Sequence, residues 1–150
     1  MFSPPANVTD YTTFLYGSVG IPTVALPNDD GIIADTLTIA QDVVNPLLAS
    51  MSGTLYVLAV YNLAADRLLN YAADQANQTY FRDMRKELRL NDFSAGVPAA
   101  VSDNGTSVGL VNPEWMKAMT LQDLHTLKTP YGRRYMEIAQ SWGPTIWGAS

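Results

Sequence analysis

His125 is the only histidine of the chain, which makes it the first candidate for catalysis or metal binding. Its neighbours Asp123 and Thr126 do not define a catalytic triad, because a triad is a matter of three-dimensional geometry. One histidine in a chain without cysteine also gives no recognisable zinc-ligand spacing. We interpret His125 as a residue of a helix surface or an interface.

Three nearby carboxylates, Asp29, Asp30 and Asp35, could hold a cation, but their spacing does not match a calcium loop. Carboxylates at a helix N-terminus, stabilised by the helix dipole, are the simpler interpretation. The segment 17–20 (GSVG) is not a phosphate loop, because no GK[ST] follows it. We therefore predict no enzyme, no metal site and no cofactor.

Arg133 and Arg134 lie between Tyr131 and Tyr135, and this cluster could stack on nucleic acid. The net charge of −5 argues against a protein that grips phosphates. An ion pair between subunits, or a helix face satisfied within its own chain, fits the cluster better.

Charge is unevenly distributed along the chain. Residues 1–66 contain six aspartates and no lysine or arginine, whereas every basic residue lies between Arg67 and Arg134. Such a chain could present one acidic and one basic face, which suits head-to-tail packing of identical subunits. Pairing of the opposite charges within one subunit is the alternative.

The length of 150 residues predicts a single domain, 1–150, with a core of its own. The first residues lack a basic stretch followed by an apolar one, so we expect no signal peptide. The longest apolar run, 55–65, is too short to cross a bilayer. We expect a soluble protein that does not contact membranes.

Helical periodicity dominates the pattern, which predicts a mainly α fold. Residues 1–28 form a proline-rich N-terminal arm, extended except for a short helix near 11–16. A helix of roughly 31–44 follows. The helix of about 54–74 is apolar on most of its circumference, so it should lie at the centre of a small helical bundle. The next helix, 78–89, should be exposed, with its basic side chains directed outward: Arg82, Arg85, Lys86 and Arg89.

A β-hairpin insert is expected at about 97–111, around the turn signal Asp103-Asn104-Gly105. Pro98 restricts the first strand to an edge. An isolated two-stranded ribbon is marginal in water, so we expect this one to pack against a neighbouring subunit. The predicted inter-subunit residues of the hairpin are Val97, Val101, Asn104, Gly105 and Val108.

The last predicted helix begins with Thr129 as its N-cap and Pro130 as its first residue, and Gly143 with Pro144 ends it. Residues 143–150 then form an extended C-terminal tail without ionisable side chains. Burying its Ile146 and Trp147 contributes roughly 3–6 kcal/mol, whereas ordering eight residues costs about 1–2 kcal/mol each. We therefore expect the tail to order only against a partner; a tail folded onto its own domain is the alternative.

Three stretches of the chain together resemble the head–tail connector proteins (adaptor or head-completion proteins) of tailed bacteriophages. They are LYVLAVYNLAADRLLNYA (55–72), GVPAAVSDNGTSVGLV (96–111) and LKTPYGRRYMEIAQSWGP (127–144). The segment TPYGRRY is the most specific part. This chain departs from the family pattern in its proline-rich arm and in its long tail with two tryptophans.

The resemblance implies a structural virion protein, made in the host cytoplasm, that forms a homo-oligomeric ring, usually of twelve copies. The ring joins the capsid portal to a downstream neck or tail protein and lets DNA pass without holding it. The C-terminal segment inserts into the portal or the neighbouring subunit. The residues expected to anchor it are Tyr131, Arg133, Arg134, Tyr135, Trp142, Ile146 and Trp147.

Other functions stay open at this point. Another ring of the same particle, such as a collar or a tail terminator, is the nearest, although tail terminators are generally built on a β-sheet. A cytosolic helical module that binds a partner helix in a groove belongs to a different class. A small hydrolase or metal-dependent enzyme would require a divalent ion at Asp29, Asp30 and Asp35.

Overall fold

The computed structural model describes residues 4–92, 97–101, 108–111 and 121–141 of the chain, and these residues are mainly helical. A π-helical turn, Leu15–Val19, continues the first helix. The helices are α1 (Val8–Phe14), α2 (Gly31–Val43), α3 (Leu47–Met51), α4 (Gly53–Tyr71), α5 (Tyr80–Glu87), α6 (Leu121–Thr126) and α7 (Pro130–Ser141).

Helix α4 is the centre of a helical bundle, as its apolar pattern predicts. The Ser52 hydroxyl begins the helix by accepting a hydrogen bond from the Leu55 amide at 3.3 Å. Every residue from Ala59 to Leu69 is buried, and α2, α3, α5 and α7 all pack against this helix. Burial of the whole circumference explains why a long, nearly uniform apolar segment is stable here.

The central helix ends at Tyr71, three residues earlier than the pattern predicts. Ala72 has extended backbone angles, and the Asp74 side chain serves the next helix instead. Its Oδ1 accepts from the Phe81 amide at 2.7 Å and its Oδ2 from the Arg82 amide at 3.1 Å. A carboxylate that satisfies the free amides of a helix start is favoured there.

The N-terminal segment is more helical than its prolines suggest, and it belongs to the core. The Asn7 side chain caps α1 by accepting from the Asp10 amide at 2.8 Å. Tyr11 and Leu15 are fully buried, and the Tyr11 ring stacks on the Tyr61 ring with centroids 5.5 Å apart. Residues 8–19 therefore pack onto the bundle instead of extending away from it.

Helix α2 follows the predicted range closely, whereas α5 departs from the prediction at one side chain. Arg85 was predicted to point outward with the other basic residues of α5, and this is wrong. Its Nη1 donates to the Leu69 carbonyl at 3.2 Å and the Ala72 carbonyl at 2.7 Å. A cation is stabilised at the C-terminal end of a helix, where carbonyls lack intrahelical partners, and this contact joins α5 to the end of α4.

Strands β1 (Val97–Val101) and β2 (Val108–Val111) pair in an antiparallel register that joins Val97 to Val111 and Val101 to Val108. The register shifts between Pro98 and Ala100. The turn residues Asn104 and Gly105 lie outside the described residues. The hairpin insert as a unit, and its contact with a neighbouring subunit, stay predictions.

Among the described helices, none combines the length and the apolar character that spanning a membrane requires.

Candidate functional site

The most unusual side chain of the bundle is Asp66, a carboxylate with no exposed surface in the middle of α4. Its Oδ1 accepts a hydrogen bond from the Thr129 hydroxyl at 2.5 Å. Its Oδ2 lies 3.6 Å from Nη1 of Arg67, which is also buried, and has no hydrogen-bond partner among the described residues. A buried charge is costly unless it is paired and hydrogen-bonded, so Asp66 depends on both neighbours.

Thr129 connects this carboxylate to the start of α7. Its hydroxyl donates to Asp66 and accepts from the Gly132 amide at 2.8 Å, which is the bond of an N-cap. Helix α7 begins at Pro130. The predicted cap at Thr129 and the predicted first helical residue are thus confirmed, and the same hydroxyl also fixes α7 against α4.

Gly132 allows the close approach that these contacts need. A Cβ atom at this position would lie 1.8 Å from the Thr126 carbonyl oxygen and 2.9 Å from Oδ1 of Asp66. The Thr126 oxygen belongs to the backbone, so no side-chain rotation can relieve the clash. Thr129, Pro130 and Gly132 of the segment TPYGRRY therefore have defined packing roles, and we call Asp66, Arg67, Thr129 and Gly132 the buried node.

The electrostatics of the node follow from its burial. Loss of hydration raises the pKa of the Asp66 carboxyl to about 6, although the Thr129 hydroxyl and the charges of Arg67 and His125 act in the opposite direction. The His125 ring itself lies on α6, with Nε2 at 3.3 Å from the Leu90 carbonyl oxygen. The Asp66 carboxyl has no exposed surface, and its hydrogen bond to Thr129 joins α4 to the start of α7.

The four predicted anchor residues on α7 divide into two pairs. Tyr131 and Tyr135 are half-buried and pack against the core, and the Tyr131 hydroxyl donates to the Val19 carbonyl at 3.4 Å. Arg133 and Arg134 are exposed. Nη1 of Arg133 donates to the carbonyls of residues 127 and 128 at 3.0 and 3.3 Å. The tyrosines thus hold α7 in place, while the arginines face outward.

The other predicted anchors, Trp142, Ile146 and Trp147, lie outside the described residues, as does the tail 143–150. Their part in binding stays a prediction.

Of the three aspartates considered for a cation, Asp30 is the N-cap of α2. Oδ1 of Asp30 accepts from the Ile32 amide at 3.1 Å, and its Oδ2 accepts from Nε2 of Gln75 at 2.9 Å. In the part of the chain that the structure describes, no group of three or more histidine or carboxylate side chains is arranged to hold a metal ion.

Among the described residues, no exposed aspartate of segment 1–66 forms an ion pair with a basic residue. The two ion pairs within the described ranges, Asp66 with Arg67 and Arg82 with Asp83, each join neighbours in sequence. Asp35 and Asp42 are exposed on α2, and neither forms an ion pair with a described residue. Within the described chain, internal pairing therefore does not account for the segregation of charge.

Basic residues from two parts of the chain lie near one another through contacts with backbone carbonyls. Nζ of Lys128 donates to the backbone carbonyls of Arg89, at 3.4 Å, and of Asp92, and Arg133 donates to the Lys128 carbonyl. We call Arg89, Lys128 and Arg133 the basic cluster. Backbone carbonyls orient two of these side chains but do not neutralise their charge.

The sequence does not predict that the four residues of the buried node come together. Two signals were present: a carboxylate followed by an arginine in the middle of an apolar helix, and a glycine in the first turn of a well-capped helix. Neither signal indicates the other as its partner. In comparisons with family models, curated proteins and solved structures, none matches the chain.

Proposed function

We propose that this chain is a structural subunit of the head–tail connector of a tailed bacteriophage. Copies of it would form a ring that joins the capsid portal to the tail and lets DNA pass. The observation that carries the proposal is the geometry of the segment TPYGRRY, the most specific part of the family resemblance. Its Thr129 and Gly132 hold α7 against the central helix, so the segment stabilises the packing of the bundle.

The fixed position of α7 has a consequence for docking to the portal. Helix α7 is fixed at its first turn by Thr129 and along its length by Tyr131 and Tyr135. The uncharged segment 142–150 follows a rigid helix, so Trp142, Ile146 and Trp147 would meet the portal from a defined starting point. Pre-organisation of this kind reduces the entropy lost on binding.

The charges of the subunit suit a passage for DNA. The net charge of −5 disfavours tight binding of phosphates. Arg67 is buried beside Asp66, and Arg85 is engaged with carbonyls at the end of α4. A ring of many such subunits multiplies weak contacts with a symmetric partner without any strong contact per copy.

Two alternatives differ in how well the fold suits them. A tail terminator is disfavoured, since that class is generally built on a β-sheet and this chain is mainly helical. A cytosolic helical binding module is favoured by the exposed apolar side chains of α2 and α3. A strictly monomeric mass at high protein concentration, with and without portal, would favour that module over the connector.

Deletion of residues 143–150 tests the proposal. The truncated chain should keep the helical circular dichroism signal and the thermal transition of the full chain, but it should no longer bind portal rings. A full-length control with Ile146→Ser and Trp147→Ser separates loss of the anchors from loss of chain length, and it should also fail to bind. A truncated chain that unfolds at lower temperature would show that the segment belongs to the core and would contradict the docking role.

A further inference from the structure

Four exposed apolar residues recur at every fourth position across α2 and α3. Ile39, Val43, Leu47 and Met51 are 51, 45, 55 and 55% exposed. Ile39 and Val43 lie one turn apart on α2, and Leu47 and Met51 lie one turn apart on α3, so each pair shares a helix face. Scattered apolar residues are ordinary on a surface, whereas exposed apolar pairs on two consecutive helices, beside polar residues, favour a binding surface.

The rim of this set is acidic. Asp35 precedes Ile39 by one turn, and Asp42 follows it by three residues, so both carboxylates share the outward side of α2 with Ile39. The inward side of the same helix carries Ile33, Thr36, Leu37 and Ala40, which are buried. We call Asp35, Ile39, Asp42, Val43, Leu47 and Met51 the acidic–apolar face.

We infer that the acidic–apolar face binds the basic cluster of a second copy of this chain, which makes it the contact between neighbouring subunits. This inference rests on the proposed ring and specifies how that ring is held together. Arg89, Lys128 and Arg133 supply the complementary charge, and none of them forms an ion pair with a described residue. Glu87 and Asp92 are exposed beside them and reduce the net positive charge without removing it.

The second copy is the occupant because one chain carries both complementary surfaces. Contact between two different surfaces of identical subunits is heterologous, and it closes into a ring when the rotation between neighbours allows it. Nucleic acid and anionic lipid are disfavoured on this face, because Asp35 and Asp42 repel phosphates. Desolvation of the apolar residues supplies affinity, and the charges fix register and orientation.

Reciprocal charge reversal tests the inference. One variant carries Asp35→Lys and Asp42→Lys, and the other carries Arg89→Glu and Lys128→Glu. Each variant alone should lose self-assembly in sedimentation velocity, since like charges then face each other. An equimolar mixture should regain assembly as an alternating ring, because each reversed face then meets a reversed partner and each native face meets a native one.

Asp29→Lys is the control, because it reverses an exposed charge outside the face, and it should assemble like the natural chain. Circular dichroism and urea unfolding establish that each variant is folded. Assembly of either reversed variant alone, or failure of the mixture to regain it, would overturn this interface while the ring itself stands. A natural chain that stays monomeric both alone and with portal rings would contradict the proposed function, and the interface with it.

Discussion

Gly132 has no Cβ atom, and a Cβ added there would lie 1.8 Å from the Thr126 carbonyl oxygen. That space lets the first turn of α7 reach the Asp66 carboxylate through Thr129. The Thr129 hydroxyl thereby accepts from the Gly132 amide at the start of α7 and donates to one oxygen of the Asp66 carboxylate. Because the node is enclosed by backbone, it tolerates little change in volume.

Gly132→Ala should destabilise the protein by about 2 kcal/mol or more, because the added methyl group must displace α7 from Thr126. Urea unfolding followed by circular dichroism measures the loss. Gly17→Ala is the matched control, since a Cβ there meets nothing within 4 Å, and it should leave the free energy of unfolding unchanged or raise it by up to about 1 kcal/mol, because alanine is favoured over glycine in a helical turn. Equal stability of the two variants would contradict the close packing of α7.

The Asp66 carboxyl should make the protein less stable as pH rises from about 4 to above 6. The pKa of the Asp66 carboxyl is about 6 in the folded protein, whereas its ordinary value is 3.8. Between these values the folded state binds more protons than the unfolded state, so its stability decreases with increasing pH. The full loss at neutral pH is about 3 kcal/mol at most.

Asp66→Asn removes this titration, and the measurement is urea unfolding of both proteins at several pH values. The natural chain should lose stability relative to the variant across the window between the two pKa values, and the difference should level off above it. Asp29→Asn, which alters an exposed aspartate outside the acidic–apolar face, should follow the natural chain. Parallel profiles for Asp66→Asn and the natural chain would show that this carboxyl does not carry the effect.

At the scale of elements, α4 supplies the surface on which the other helices are placed. Leu69 is fully buried within it. Leu69→Ala should lower the free energy of unfolding by about 2–5 kcal/mol through lost burial and the cavity left behind.

Val24→Ala is the control for this change, since Val24 is 65% exposed and lies outside the acidic–apolar face. It should change the free energy of unfolding by no more than about 0.5 kcal/mol. Thermal or urea unfolding compares the two variants. Similar losses for both would mean that α4 is not the centre of the bundle.

Periodicity and capping predict the positions of α2, α4 and α7 well, because both are properties of a short stretch of chain. They do not predict the direction of Arg85, which is set by free carbonyls at the end of a different helix. A short helix near 11–16 was predicted, but the packing of residues 8–19 into the core was not, for the same reason. Tyr11 finds its partners on α4 and α2, far away in sequence.

At the candidate site too, the local feature of the buried node is predictable and the contact between distant residues is not. Thr129 is predictable as a cap from its place before Pro130. Its second bond, to Asp66, depends on how α7 crosses α4 and has no local signature. The acidic–apolar face was likewise only partly predictable, because segregated charge is visible in a sequence whereas the exposure of Ile39, Val43, Leu47 and Met51 is not.

At the scale of the whole molecule, the described residues form a bundle around one apolar core, and the exposed aspartates of its first half form no ion pairs with described basic residues. Association would stabilise a subunit of this kind, because each copy presents surfaces complementary to those of its neighbours. The proposed ring brings together the charge segregation, the exposed apolar residues of α2 and α3, and the fixed orientation of α7.

Negative-stain electron microscopy of the purified chain, alone and mixed with portal rings from the same virus, tests this account most directly. We predict closed rings of the chain, or portals capped by an additional ring on one face. Fields of dispersed monomers beside bare portals would contradict it.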